Sequence, residues 1–461
     1  MVTDEWLARR DRLFFASCIA LIVTAMSFAI RGNLIQPLSA EFGLTKEQIG
    51  WVVGTAFWGF TLAMIIGGPL CDILGMGRLL GLAFIGHTIG IVLTITASGF
   101  WTLFFSTLAF GMGNGFVEAA CNPLIATLYP DQKIKRLNLF HVWFPGGIVI
   151  GGLTAFAITS MGLSWKLQMA SMLLPLVVYA ILFFGQKFPQ TERAASGVST
   201  GQMFAACLQP FFLLFVLCML MTAVTELGPG QWIPNILTFT TGVAGILYLV
   251  WINGLMAVGR TFAGQLVHHI SPVGVLLGSA TFSIIGLYLL STANAAGIAF
   301  VAATLFAIGV CFFWPTMLGV VAERFPKTGA LGLAIMGGAG MLASNFIQPQ
   351  IGATYDAVTN KQALAYVSTA TDPKVTEAFA KAKSEVPNEE VAAGKALGGV
   401  AGAKDASDDL KKTWVKAQAD GGSAALKQVV VLPIVLVVIF GAIFLYDKSR
   451  GGYKKEILVR E

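Results

Sequence analysis

Long apolar runs separated by short polar turns recur from one end of the chain to the other. A helix needs about 20 residues to cross a bilayer. Twelve such runs begin near Leu13, Ile49, Leu79, Trp101, Leu139, Leu167, Phe211, Val243, Val273, Ile298, Gly329 and Val429. Inside lipid the backbone has no water partner, so each run is predicted to be an α-helix that satisfies its own hydrogen bonds. Trp101, Tyr129 and Trp165 fall near run ends, where aromatic anchors meet the headgroups. The expected fold class is an all-α membrane protein of twelve transmembrane helices.

A polar stretch at 188–208 divides the runs six and six. The chain then reads as a short N-terminus (1–12), a first six-helix half (13–187), a linker, a second half (209–446) and a tail (447–461). An offset of 196 residues lays Gly68 on Gly264, Leu70 on Leu266 and Pro130 on Pro326, and brings Arg31 within one residue of Glu226. Two pseudo-symmetric halves of this kind are a transporter architecture. Between the last two runs, residues 357–428 turn to alanine, lysine, aspartate, glutamate and glycine. That insertion is predicted to lie outside the membrane, with short amphipathic helices at 375–384 and 407–419 and loose glycine-bearing parts.

Lysine and arginine gather in alternate loops. Arg9, Arg10, Arg12, Arg78, Lys133, Lys135, Arg136, Lys187, Arg193, Arg324, Lys327 and the tail lie on one side; the opposite short loops offer little beyond Lys46 and Lys166. Both termini are expected in the cytoplasm of a cell membrane, of the bacterial inner-membrane type. The first run is too long for a secretory leader and is expected to stay as an anchor. With 56% hydrophobic and 12% charged residues, the net charge of +6 belongs to this loop asymmetry and points to lipid headgroups rather than nucleic acid. The six cysteines and four histidines show no C-x-x-C or ligand spacing, and no nucleophile constellation or phosphate loop appears, so neither an enzyme nor a metal site is expected. No cofactor is needed; the expected partners are a small-molecule solute and the bilayer, with the protein acting as a monomer.

The loop after the second run reads Gly68-Pro-Leu70-Cys-Asp72-Ile-Leu-Gly75-Met-Gly-Arg78, a G-x-L-x-D-x-x-G-x-x-R pattern that resembles the signature of the major facilitator superfamily. Its second-half counterpart is Gly259-Arg260 followed by Gly264-Gln-Leu266-Val-His268, with histidine in the aspartate's place. Gly68, Asp72, Arg78, Arg260 and Gly264 are thus expected to gate the cytoplasmic side. Gly111-Met-Gly113-Asn-Gly115-Phe-Val-Glu118-Ala-Ala-Cys-Asn122-Pro123 is similar to the fucose, galactose and glucose to proton symporter family. Arg136-Leu-Asn138, Glu226 with Trp232, Trp314-Pro315-Thr316 and Gly352-Ala-Thr-Tyr-Asp356 add to the likeness. The resemblance implies proton coupling at the fourth-helix glutamate, Glu118. The family's acidic residue late in the first helix is missing, and Gly32 or Asn33 stands there.

A carboxylate at mid-membrane depth is costly and is usually retained for a task. Glu118 is therefore the candidate proton carrier, the alternative being a permanently neutral carboxyl in a helix contact. Asn122 follows one turn later on the same face. Arg31 ends the first run and either snorkels to the headgroups, pairs with Glu226, or meets an anionic group on a solute. His141, Trp143, Gln231, Trp232, Asn235, Trp314, Asn345 and Gln348 complete the candidate cavity; amides and aromatic plates suit the hydroxyls and C–H faces of a sugar. The expected function is proton-coupled import of a sugar or sugar-like polyol by alternating access. The alternatives are an organic-anion transporter using Arg31, and a non-transporting receptor or scaffold acting through 357–428.

Overall fold

The computed structural model describes residues 4–129, 136, 139–189, 205–260, 262 and 270–454. The first half contains α1 (Asp4–Phe42), α2 (Lys46–Leu74), α3 (Met76–Ile95), α4 (Phe100–Leu128), α5 (Trp143–Ser160) and a sixth crossing made of α6 (Trp165–Ser171) and α7 (Leu173–Phe183). The second half contains α8 (Pro210–Thr241), α9 (Ile246–Arg260), α10 (Pro272–Thr292), a tenth crossing broken into α11 (Ala296–Val310) and α12 (Phe313–Arg324), and α13 (Gly329–Val367). After α14 (Pro373–Glu385) and α15 (Glu389–Ala401), α16 (Asp408–Val429) leads into α17 (Val431–Ser449), the last crossing. Among the described residues, ten helical stretches are long and apolar enough to span a membrane. The shorter α9 and the long α13 pack in the same bundle and bring the crossings to the expected twelve. With an even number of crossings both chain ends share one face, the terminal face; the other is the distal face.

Local chemistry sets the helix ends. Thr45 accepts a hydrogen bond from the Gln48 amide while the Gln48 side chain accepts from the Thr45 amide, a capping box that starts α2. Pro210 opens α8, and Gly242, in the left-handed region at φ 69°, closes it. Pro229 and Pro234 do not interrupt α8, which runs continuously through both. The tenth crossing does break, at Cys311–Phe312, just ahead of Pro315.

The halves meet chiefly through α1 with α8, α2 with α13, and α5 with α9. Small residues allow the contact: a methyl added at Gly50 of α2 would stand 2.5 Å from the Gln348 carbonyl oxygen and 2.6 Å from Pro349 Cα of α13. Near the distal face the Glu47 amide donates to Asp356 Oδ2 (3.1 Å), and Lys46 Nζ donates to Gln36 Oε1 (2.7 Å). The distal side is closed.

The insertion is more ordered than expected. Its glycine-bearing part is helical: Gly394 in α15 lies against Asn360 of α13, and Gly398 against the Trp414 ring of α16. Ala363, Val367, Val375, Ala393, Leu397, Ala401 and Leu410 form a core of its own. A glycine supports helix when its missing side chain lets another element approach, and the alanine-rich composition supplies the propensity. This cap packs on the distal ends of α8, α10 and α13, all from the second half. Exposed ion pairs decorate it, Lys374–Asp405 at 2.5 Å and Lys395–Glu385 at 2.6 Å. Hydrogen bonding from these lysines holds both carboxyls below their usual range.

Candidate functional site: a cavity between the halves

At mid-depth α1, α5, α8, α9 and α11 enclose a cavity of about 40 Å³. Phe28, Phe144 and Phe306 supply its aromatic wall, and Glu226, Gln231 and Asn253 its polar points. At roughly 10–15 Å³ per water such a space holds about three waters, so a sugar-sized solute enters only when the halves part.

The polar points are incompletely satisfied. Gln231 Nε2 donates to the Phe28 carbonyl (3.3 Å), while its Oε1 is buried without a partner. Glu226 Oε1 lies 3.5 Å from Arg260 Nη2, and Glu226 Oε2 is buried without a partner. Arg260 is fixed by donating from Nε to the Cys311 carbonyl (3.2 Å), the carbonyl at the break in the tenth crossing. Asn253 donates to the Leu249 carbonyl (2.9 Å). The orphaned atoms are acceptors, and each buried unmade hydrogen bond costs about 1–3 kcal/mol. An occupant with O–H or N–H donors removes that cost.

A second polar group approaches from the first half. Asn122 Nδ2 donates to Glu118 Oε2 (2.7 Å), and Asn122 Oδ1 is 3.1 Å from His141 Nε2. Glu118 is 8% exposed and is not part of the cavity wall. His141 lies within electrostatic range of Glu118 in the first half and Arg260 in the second. Because Asn122 donates to Glu118 through its nitrogen, its oxygen must accept, and His141 Nε2 is the donor.

The other expected cavity residues divide. Trp232 is wholly enclosed, donating to Gln348 Oε1 (2.8 Å), and Gln348 in turn donates to the Leu227 carbonyl (3.3 Å). Both serve the packing of α8 on α13 rather than the cavity wall. Asn345 sits between the halves, its amide placed between the Gly54 carbonyl and the Trp58 indole of α2. Asn235 reaches Gln36 (3.5 Å) under the distal closure. Trp314 packs on Gly340, and Trp143 is 38% exposed at the start of α5. Arg31 is 7% exposed and so does not snorkel, and Glu226 is paired with Arg260 in its place. Of the gating residues, Gly68 and Asp72 fall in α2 and Arg78 is exposed in the first turn of α3; the Asp72 side chain, Gly264 and His268 lie outside the described residues.

The expected pairing set Glu226 against Arg31 and missed Arg260, although the spacing carries a signal for the Glu226–Arg260 pair. The two residues are nearly equidistant from the turn at 242–245, and positions equidistant from the turn of an antiparallel helix pair meet at one depth. Phe28 and Phe306 carried no such signal, since each is one apolar residue among many on its helix.

Residues 16–347 match the profile of the Major Facilitator Superfamily. The chain belongs to that superfamily. Its fold is shared with a bacterial homolog of the human lysosomal transporter Spinster, solved in an inward-facing and unoccupied conformation, at a TM-score of 0.70 and 16% identity over 94% of this chain and 96% of that one. The E. coli fucose:proton symporter aligns at a TM-score of 0.53 and 15% identity, covering 93% and 98% of the two chains. Among curated proteins, the probable anion transporter 6 of Arabidopsis thaliana is 28% identical over 149 residues, 32% of this chain. That match spans only 27% of the relative's own length. As a member of that superfamily, the chain is a multi-pass membrane protein.

Proposed function

We propose that this transporter moves a small polyhydroxylated solute together with a proton, by alternating access between the terminal and distal faces. The carrying observation is the pair of orphaned acceptors, Glu226 Oε2 and Gln231 Oε1, in an aromatic-walled cavity at the junction of the halves. Hydroxyl groups match such acceptors, and a sugar ring's C–H faces match the phenyl rings. Glu118 is the proton carrier, with Asn122 and His141 as its route toward Arg260 and Glu226. Protonation of Glu118 removes the acceptor charge that orders Asn122, which links the proton's presence to the position of His141.

The test uses proteoliposomes and a panel of myo-inositol, D-xylose and D-glucose. Glu118→Gln is expected to keep solute exchange and lose accumulation driven by a pH gradient. Undiminished accumulation in that variant removes Glu118 from coupling. Transport into the cytoplasm of a bacterial cell follows if the arginine-rich terminal face is cytoplasmic.

An organic anion is the second reading, favoured by the buried, unpaired N–H groups of Arg31 and by the anion-transporter name of the Arabidopsis relative. Uptake of phosphate or cis,cis-muconate that vanishes in Arg31→Gln, with no uptake of the polyols, selects it. A scaffold role for the cap is set aside if deletion of 373–401 leaves transport intact.

A further inference from the structure

A separate cavity lies wholly within the first half, away from the junction. It measures about 20 Å³ and is walled by Ser27, Arg31, Thr94 and Thr107 among apolar residues that include Leu34, Val53 and Phe110. Arg31 is the charged group in that wall, and among the described residues no carboxylate lines it. Its Nε and Nη2 are buried and have no hydrogen-bond partner. The guanidinium stands 5.1 Å from the Phe28 ring centre and 5.8 Å from that of Phe110. Two phenyl faces attract a cation only weakly and accept none of its in-plane N–H bonds.

His87, a titratable group within electrostatic range of Arg31, does not supply the missing charge. His87 is fully buried, with Nε2 2.9 Å from Asn114 Oδ1 and Nδ1 3.1 Å from the Tyr179 hydroxyl. An amide oxygen only accepts, so Nε2 carries the hydrogen, and a neutral ring is completed when Nδ1 accepts from Tyr179. His87 therefore brings no negative charge to Arg31. Asn114 also reaches the Ser27 hydroxyl (3.5 Å), which ties this network to the cavity wall.

An arginine keeps its charge, and a buried charge needs a counter-charge or a full set of hydrogen bonds. We infer that this cavity is a binding site for a small monovalent inorganic anion of chloride size, held by Arg31 Nε and Nη2 with the Thr107 hydroxyl beside them, the Ser27 and Thr94 hydroxyls donating instead to the Thr24 and Gly90 carbonyls. The volume admits a single monatomic ion and excludes a sugar or a dicarboxylate. The ion is a resident of the first half, distinct from the solute, and fixes Arg31 among α1, α2 and α4 while the two halves rock. This assignment is compatible with a polyol in the junction cavity and excludes the reading in which Arg31 binds an anionic solute.

The test is thermal unfolding of the purified full-length protein in detergent, without solute, in sodium chloride and sodium gluconate at equal ionic strength. A saturable rise of the midpoint in chloride, reproduced by bromide and abolished in Arg31→Gln, is expected. Crystals grown in bromide are expected to show anomalous scattering in contact with Arg31 of the unaltered protein, which decides the matter even if the variant does not fold. Thr107→Val, which leaves Arg31 in place, is expected to raise the half-saturating chloride concentration. Identical midpoints in the two salts, or a bromide-free peak with the scattering of water at Arg31, overturns the proposal. So does stabilisation by phosphate or muconate through Arg31 with none by halide, which makes the arginine a solute ligand.

Discussion

Replacing Gly50 by alanine is expected to tip the protein toward opening at its distal face. The added methyl would stand 2.5 Å from the Gln348 carbonyl oxygen and 2.6 Å from Pro349 Cα, both backbone atoms of α13, so no side chain can swing aside. Ordinary contact begins near 3.5 Å, so α2 and α13 must retreat by about 1 Å. Overpacking of this kind costs about 1–3 kcal/mol. The cost falls on the distal-closed state, where the helices touch, and not on a state in which they have parted. A bias of about 1–3 kcal/mol shifts such an equilibrium about 5–150-fold. Asn235 is 5% exposed beneath the closure, and all six native cysteines are buried, so Asn235→Cys reports opening when a membrane-impermeant thiol reagent is applied from the distal side. Its labelling rate should rise by that factor in Gly50→Ala. Gly111→Ala is the control, because Gly111 meets the Ala56 backbone inside the first half; it should lower stability without changing labelling. An unchanged labelling rate in a folded Gly50→Ala protein refutes the claim that this helix contact holds the distal gate.

Asp447→Ala leaves Arg324 buried without its partner at the terminal end of α12, and should cost about 3–5 kcal/mol by denaturant unfolding, largely restored in the double variant with Arg324→Leu. Leu397→Ala empties the centre of the cap core; a loss of about 2–5 kcal/mol there should appear as faster proteolysis of 369–407 with transport unchanged. The depressed folded-state carboxyls of Asp405 and Glu385 contribute stability that is present above their unfolded values and is lost as pH falls through the folded ones. Cap proteolysis should therefore accelerate below the ordinary carboxylate range, and only at low salt, since both pairs are exposed. Asn122→Leu removes the link between Glu118 and His141 and should flatten the pH dependence of transport while leaving equilibrium exchange measurable.

Twelve crossings and the Glu118–Asn122 contact were readable because lipid imposes length on a helix and a four-residue spacing imposes a shared face. The partners of Arg31 and Glu226 were less so. Their equivalent places in the two halves say nothing of how each helix is rotated, and rotation turned Glu226 toward α9 and Arg31 into its own half. Trp232 illustrates the same gap, since the few polar residues of α8 do not fall on one face and its pattern does not tell the cavity face from the packing face. The cap misled for another reason: alanine and glycine beside lysine and glutamate look loose until a partner helix is present to fill the notches at Gly394 and Gly398.

A single unbroken helix, α13, joins the distal gate to the cap, running 39 residues or about 58 Å. Pivoted at its inner end, such a rod moves its outer tip by about an ångström for every degree of tilt. The cap thus works as a pointer on a dial: each turnover of the carrier is written outside the bilayer as a displacement large enough for a fluorophore pair, or a bound protein, to register.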